Sequence, residues 1–226
     1  MTATYAEIPA LMTLMTGDEK HDASATSTLD ALWVLYDRVL SIDPAHPEAP
    51  GRDRFLLSKG HGPMAYYAVL AAKGFLTRDQ LRGFGGVDSV LGHHPDRMLA
   101  PGVEIGSGSL GHGLGIGVGL ALGLPMTGHG SRVVVMTGDA ELEEGSNWEA
   151  VQYAGRVGLH RLMVVVIDND STSQGWPGGV AARFVAEGWS ARDVDGRDHQ
   201  ALYAAYLAAE PGRPHVVVAH VAAKES

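Results

Sequence analysis

Cysteine is absent from all 226 residues. That excludes disulfides, thiolate-held metals and cysteine nucleophiles, and it is what a reducing cytoplasm would favour. Basic residues are also scarce, 17 Lys and Arg against 26 Asp and Glu, for a formal charge of −9. No basic stripe runs along the chain, so nucleic acid and anionic membrane surfaces are poor partners. No apolar run approaches the roughly 18 residues that span a bilayer, so no membrane partner is expected. Met1 to Met15 carries Glu7 but no basic cluster ahead of an apolar block, so it does not read as a signal peptide. Internal repeats and low-complexity linkers are missing too, which excludes solenoid and tethered architectures.

What is present suits a globular protein: 45% apolar and 19% charged residues. The length predicts one large domain over 21–226, preceded by a loosely ordered segment over 1–20. Glycine, at 30 residues, is about twice its average share, and many of the 11 histidines adjoin glycines. Glycine lets backbone approach a ligand closely, and histidine exchanges protons near neutral pH. Together they point to an active site of unspecified chemistry.

Ser27-Thr28-Leu29-Asp30 resembles a capping box, and apolar residues from Leu29 to Leu40 follow at helical spacing. Within that run Leu29, Trp33 and Tyr36 read as core residues. Ser41 to Arg54, with three prolines, reads as a loop. Helices are expected over Met64–Lys73, stopped by Gly74, and over Thr77–Phe84. From Val133 onward, buried-strand runs (Val133–Met136, Leu162–Ile167, Trp189–Val194, His215–His220) alternate with helical patterns (Leu142–Val157, Val180–Glu187, Asp198–Ala209). This predicts an α/β fold, a doubly wound, mostly parallel sheet flanked by helices. In such sheets ligands sit beyond the carboxyl ends of the strands.

Two of those ends carry Gly138-Asp139 and Asn169. Asp139 and Asn169 are 30 residues apart, about the length of one βαβ unit. That spacing sets a carboxylate beside an amide oxygen, a pair suited to Mg²⁺ or Ca²⁺ with a diphosphate completing the coordination. The helix starting near Glu141 would aim free N–H groups at the diphosphate. An N-cap aspartate and a turn asparagine would explain the same two residues. Gly106 to Gly111 spells GxGxxG, yet no acid occurs between Ser107 and Gly138, so the dinucleotide reading lacks its ribose partner. Zinc lacks cysteine and an HExxH pattern, and the adjacent His93 and His94 point apart. His46, His129, His160 and His220 read as surface or packing residues, and Glu143 with Glu144 could be a solvated helix face.

The block Gly138-Asp139-Ala140-Glu141-Leu142-Glu143-Glu144-Gly145, with Asn169, resembles the thiamine diphosphate signature. With Arg52 to Gly62, His94-Pro95-Asp96, Pro101 to Glu104, Gly108-Ser109-Leu110-Gly111 and Asp195-Gly196-Arg197-Asp198, it is similar to transketolases, most of all the N-terminal subunit of the split, two-gene type. The resemblance implies the diphosphate-binding (PP-type) thiamine diphosphate fold. It implies that Asp139, Asn169 and the Ser171 carbonyl ligate Mg²⁺, and that Gly138 and Ala140 contact the diphosphate. It places His61 near the diphosphate and thiazolium, and Gly108 and Leu110 against the aminopyrimidine. His21 and His94 would handle the sugar, and Glu144 and Glu149 would join a subunit-interface proton network.

The resemblance further implies ketol transfer from a ketose to an aldose in the cytoplasm. The activating glutamate of such enzymes lies on a pyrimidine-binding domain for which 226 residues leave no room. A separate C-terminal-type subunit is therefore expected, in an α2β2 heterotetramer, with sugars or sugar phosphates as substrates. Four departures from the family are visible. Lys20-His21-Asp22-Ala23 replaces a Gly-His-Pro-Gly turn, and Ile167-Asp168-Asn169 moves an acid next to the asparagine. His112 replaces a glutamine, and no counterpart of a C-terminal histidine loop follows His220. A non-catalytic subunit of the same fold, or another thiamine diphosphate carboligase or decarboxylase, would also fit this set.

Overall fold

The computed structural model describes residues 3–15, 26–60, 62–173 and 175–221. In chain order its elements are α1 (Ile8–Met12), α2 (Leu29–Val34), β1 (Arg54–Leu57), α3 (Met64–Ala72), α4 (Arg78–Arg82), α5 (His112–Gly123), β2 (Val133–Gly138), α6 (Gly145–Val157), β3 (Leu162–Asp168), α7 (Val180–Ala186), β4 (Ser190–Asp195), α8 (His199–Leu207) and β5 (His215–His220). The five strands form one wholly parallel sheet in the order β1-β2-β3-β5-β4.

Strand periodicity divides the core in two. Phe55, Leu57, Val134, Met136, Val165, Ile167 and Val217 face one layer, which α1, α2, α3 and α8 cover with Ile8, Leu32, Tyr66 and Tyr206. The intervening Leu56, Val133, Val135, Val164, Val166 and Val218 face the other, covered by Leu114, Val118, Ala154 and Phe184 of α5, α6 and α7. The doubly wound expectation therefore holds, and all strands point their carboxyl ends to one edge.

Several local expectations need correction. Residues 3–15 are not loose: Ile8 and Met15 are fully buried in the first layer. Thr28 caps α2 without a side-chain bond. Asp30 of the expected capping box instead accepts from Tyr5 Oη (2.5 Å), Arg197 Nη1 (2.7 Å) and His199 Nε2 (2.8 Å). Burial alone would raise the pKa of Asp30, but these three donors outweigh it and hold the carboxyl below its ordinary value. The helical run past Val34 relaxes into a π-turn, Leu35–Val39. A capping box does form at Thr77 and Gln80. Gly74, in left-handed conformation, follows α3 as expected.

Two elements escape the pattern reading. β1 is four residues, the last three of them buried, beside a proline-rich stretch, too short to show a period. α5 carries glycines at 113, 115, 117, 119 and 123, a poor helix former by propensity. Packing explains it: a Cβ on Gly113 would lie 2.3 Å from Ser58, and one on Gly117 2.4 Å from Val135. The helix lies so close to the sheet that only glycine fits there.

Candidate active site

The tips of β2 and β3 build the floor of the site. Asp139 follows β2 and donates its backbone N–H to the Ile167 carbonyl of β3 (3.0 Å), pinning the two tips together. Its carboxylate is fully buried. Oδ1 accepts from Ser171 Oγ (2.6 Å), and Oδ2 accepts from the N–H groups of Ser171 (2.7 Å) and Thr172 (3.2 Å). The chain turns back toward Asp139 through Asp170, whose φ of 56° is a left-handed conformation that aspartate tolerates. Ser171 meets Asp139 through its amide and hydroxyl.

Asn169 is 4% exposed, and its Oδ1 has no hydrogen-bond partner. A buried amide oxygen left unpaired is costly, so its retention calls for an explanation. Asp168 instead turns to His220, with 3.1 Å between Oδ2 and Nδ1. Glu143 accepts from Thr172 Oγ1 and the Ser173 N–H (both 2.6 Å) and from Ser173 Oγ. The 3₁₀ turn Ala140–Glu143 and its N-cap Asp139 thus support the segment after Asn169 through two carboxylates.

The sequence patterns gave no role to Glu141, a buried acid that bridges three segments of the site. It is 2% exposed. Oε1 accepts from Ser58 Oγ (2.5 Å) and the Gly111 N–H (3.0 Å), and Ser58 Oγ in turn accepts from the Gly113 N–H (3.1 Å). Burial pushes its pKa up, against hydrogen bonds from Ser58, Gly111 and Gly138 and the positive charge of Lys59. One carboxylate therefore joins the loop after β1, the start of α5 and the turn after β2. Glu141 and Ser58 both sit inside distinctive motif blocks; their proximity, across 83 residues, has no sequence signal.

Close backbone contacts draw further candidates together. A Cβ on Gly60 would fall 2.8 Å from the Gly108 nitrogen, and one on Gly108 would fall 3.0 Å from His94 Cδ2. His94 thus packs on the Gly108 loop, while His93 faces the other way, onto the Phe84 ring at 5.3 Å. Gly111 abuts Glu144 and Ser146, and Ser146 Oγ donates to the Gly111 carbonyl (2.9 Å). This contact joins the Leu110–Gly111 turn to the start of α6, where Glu144 and Glu149 are exposed. Gly138 packs along the Lys59 side chain, and Ala140 opens the 3₁₀ turn beside Asp139. His21, with its Lys20 and Asp22 neighbours, and His61 lie outside the described residues.

No group of three or more His, Asp or Glu side chains placed to hold a metal occurs among the described residues. A cation here would take Asp139 and Asn169 and draw its other ligands from backbone and a bound anion. The orphaned Asn169 oxygen and the buried Asp139 carboxylate fit a hard, oxygen-seeking divalent ion.

Comparison with known proteins places this arrangement. The model of a family described as "Transketolase, thiamine diphosphate binding domain" matches residues 7–222. "Ferredoxin fas2" of Rhodococcoides fascians is 50% identical over 219 residues, covering 96% of this chain and 72% of the relative. A subunit of the apulose-4-phosphate transketolase of Actinobacillus succinogenes is 36% identical over 207 residues, 88% of this chain and 75% of the relative. "6-deoxy-6-sulfo-D-fructose transketolase subunit SqwG" of Clostridium sp. is 32% identical over 206 residues, 88% of this chain and 75% of the relative. Among solved structures, the Pichia stipitis transketolase complex with sedoheptulose 7-phosphate superposes with a TM-score of 0.81 at 26% identity, covering 96% of this chain. The chain spans 36% of that protein.

Proposed function

The chain belongs to the transketolase family through its thiamine diphosphate binding domain, and from that premise we propose that it is the diphosphate-binding subunit of a split transketolase. With a separate subunit carrying the pyrimidine-binding domain, it moves a two-carbon ketol unit from a ketose to an aldose. The observation that carries this reading is the buried Asn169 oxygen without a partner, at the strand tip neighbouring the buried Asp139.

Asp139, Asn169 and the Ser171 backbone carbonyl would hold Mg²⁺, or Ca²⁺ in its place, against the diphosphate. Thiamine diphosphate, when bound, supplies a nucleophilic carbon and an electron sink for carbon–carbon cleavage beside a carbonyl. The chain's own residues bind, orient and move protons. Gly138 and Ala140 bring backbone to the diphosphate, and Gly108 and Leu110 form the wall for the aminopyrimidine. Glu141 fixes that wall to the turn after β2. His21 and His94 would hold sugar hydroxyls and exchange protons with them, and His61 would serve the reaction from beside the diphosphate and thiazolium. Glu144 and Glu149, exposed at the start of α6, face the subunit interface.

Two relatives are named as subunits, which supports a partner chain; the α2β2 heterotetramer is the assembly proposed with it. Their named sugars end in a phosphate and a sulfonate, which supports a substrate with an anionic terminus. The relative named a ferredoxin does not redirect this reading. This chain has no cysteine with which to hold an iron–sulfur cluster. A cytoplasmic setting is consistent with that composition.

The test is ketol transfer by the chain mixed with its pyrimidine-domain subunit, over a panel of phosphorylated and sulfonated ketoses. Turnover dependent on thiamine diphosphate and Mg²⁺ is expected, with at least a 100-fold loss in Asp139→Ala. Absence of cofactor-dependent transfer across the panel, or unimpaired turnover by Asp139→Ala, overturns it.

A further inference from the structure

The opposite edge of the sheet holds a cavity that none of this chemistry uses. It has a volume of about 150 Å³ and lies where the strands begin, between Arg132 ahead of β2, His160 and Arg161 ahead of β3, and the end of α8. β3 runs seven residues from this edge to the Asp139 tip, about 20 Å at strand rise. The cavity is therefore a separate place, and its use does not depend on the proposed transketolase activity.

Its lining divides by chemistry. Met163, Val134, Tyr206 and Leu207 give it an apolar floor. A cavity of this volume accommodates a body the size of one benzene ring. His215 at its wall contributes no charge: its Nε2 lies 2.9 Å from the Ala205 carbonyl, its Nδ1 2.8 Å from Ser190 Oγ, and burial lowers its pKa. The Ala205 carbonyl only accepts, which assigns the ring proton to Nε2.

The cationic groups are not equivalent. Arg132 is paired with Asp53 Oδ2 (2.6 Å) and also donates to the Val39 carbonyl. Arg161 has neither a hydrogen bond nor an ion pair from its guanidinium among the described residues, and it lies against Gly130. Glu210, just past the lining residue Ala209, is engaged with Arg213 at 3.7 Å. A free guanidinium at the rim of an apolar cavity, in a chain of net charge −9, is a recognition element for an oxyanion.

The geometry points to a second binding site here, for a small organic anion: an oxyanion head on Arg161, with His160 beside it, and an apolar body of about one ring on Met163 and Leu207. The probes are benzoate and, as its neutral counterpart of equal size, benzyl alcohol. Each is titrated into the full chain and followed by the NMR signal of the Met163 methyl. Benzoate should shift that signal saturably and bind at least 10-fold tighter than benzyl alcohol. Arg161→Gln should erase that 10-fold preference without changing the melting temperature, and Arg161→Lys should restore part of it. Saturating thiamine diphosphate and Mg²⁺ should not displace benzoate. Equal affinity for the two probes, an unchanged preference in Arg161→Gln, or displacement by the cofactor would each overturn the assignment.

Discussion

Replacing Glu141 by alanine should loosen three loops at once. The Gly111 N–H and the Ser58 hydroxyl both donate to Glu141 Oε1 in a buried setting. Alanine leaves both donors without that acceptor, and an unsatisfied buried donor costs about 1–3 kcal/mol. The pair sums to roughly 2–6 kcal/mol. In a domain of this size each kcal/mol moves the melting temperature by about 2–4 °C, so a drop of roughly 4–24 °C is expected. Glu141→Gln separates the hydrogen bonds from the charge. Glutamine keeps a carbonyl oxygen for both donors and removes a carboxylate whose ionised form burial already disfavours. Its melting temperature should fall by less than half the alanine loss. Differential scanning calorimetry of the two variants and the parent gives these numbers. Thiamine diphosphate affinity, measured with the proposed partner subunit present, gives a second readout, expected to weaken at least 10-fold in the alanine variant. A Glu141→Ala protein melting within about 2 °C of the parent would refute the three-loop role, as would a glutamine variant no better than alanine.

Two further outcomes follow from packing and protonation. On α5, Gly113→Ala drives a Cβ to 2.3 Å from Ser58, whereas Gly115→Ala meets nothing within 4 Å. Denaturant unfolding should show Gly113→Ala destabilised by at least ~2 kcal/mol, and Gly115→Ala stabilised by about 0.5–1 kcal/mol; the opposite order would show that α5 does not lie as described. His215 is pushed below its ordinary pKa by burial, so the unfolded chain takes up a proton, near pH 6.5, before the folded one does. The stability this neutral ring confers is present above that value and is lost as pH falls through it toward the folded pKa, by up to about 1.4 kcal/mol per pH unit. Urea midpoints at pH 7.5 and 5.5 should therefore differ less in His215→Asn than in the parent, and equal differences would disprove it.

The sequence alone determined the alternation of strands and helices from Val133 onward. It also determined that Asp139 and Asn169 would end adjacent parallel strands, because hydrophobic period and βαβ length are local properties of the chain. Resemblance of the motif blocks led to the family that the comparisons show. Tertiary structure decided the rest. β1 is too short to carry a period, and α5 is helical against its own propensity because the sheet leaves room only for glycine at Gly113 and Gly117. Asp30 reads locally as part of a cap, yet it is claimed by Tyr5, Arg197 and His199 from distant segments. Glu141 reads as one acid among several in a polar run, yet the fold buries it against Ser58 and Gly111. A buried polar group must find its partners wherever the fold brings donors near, and that demand is met in space, at separations that no local pattern of residues records.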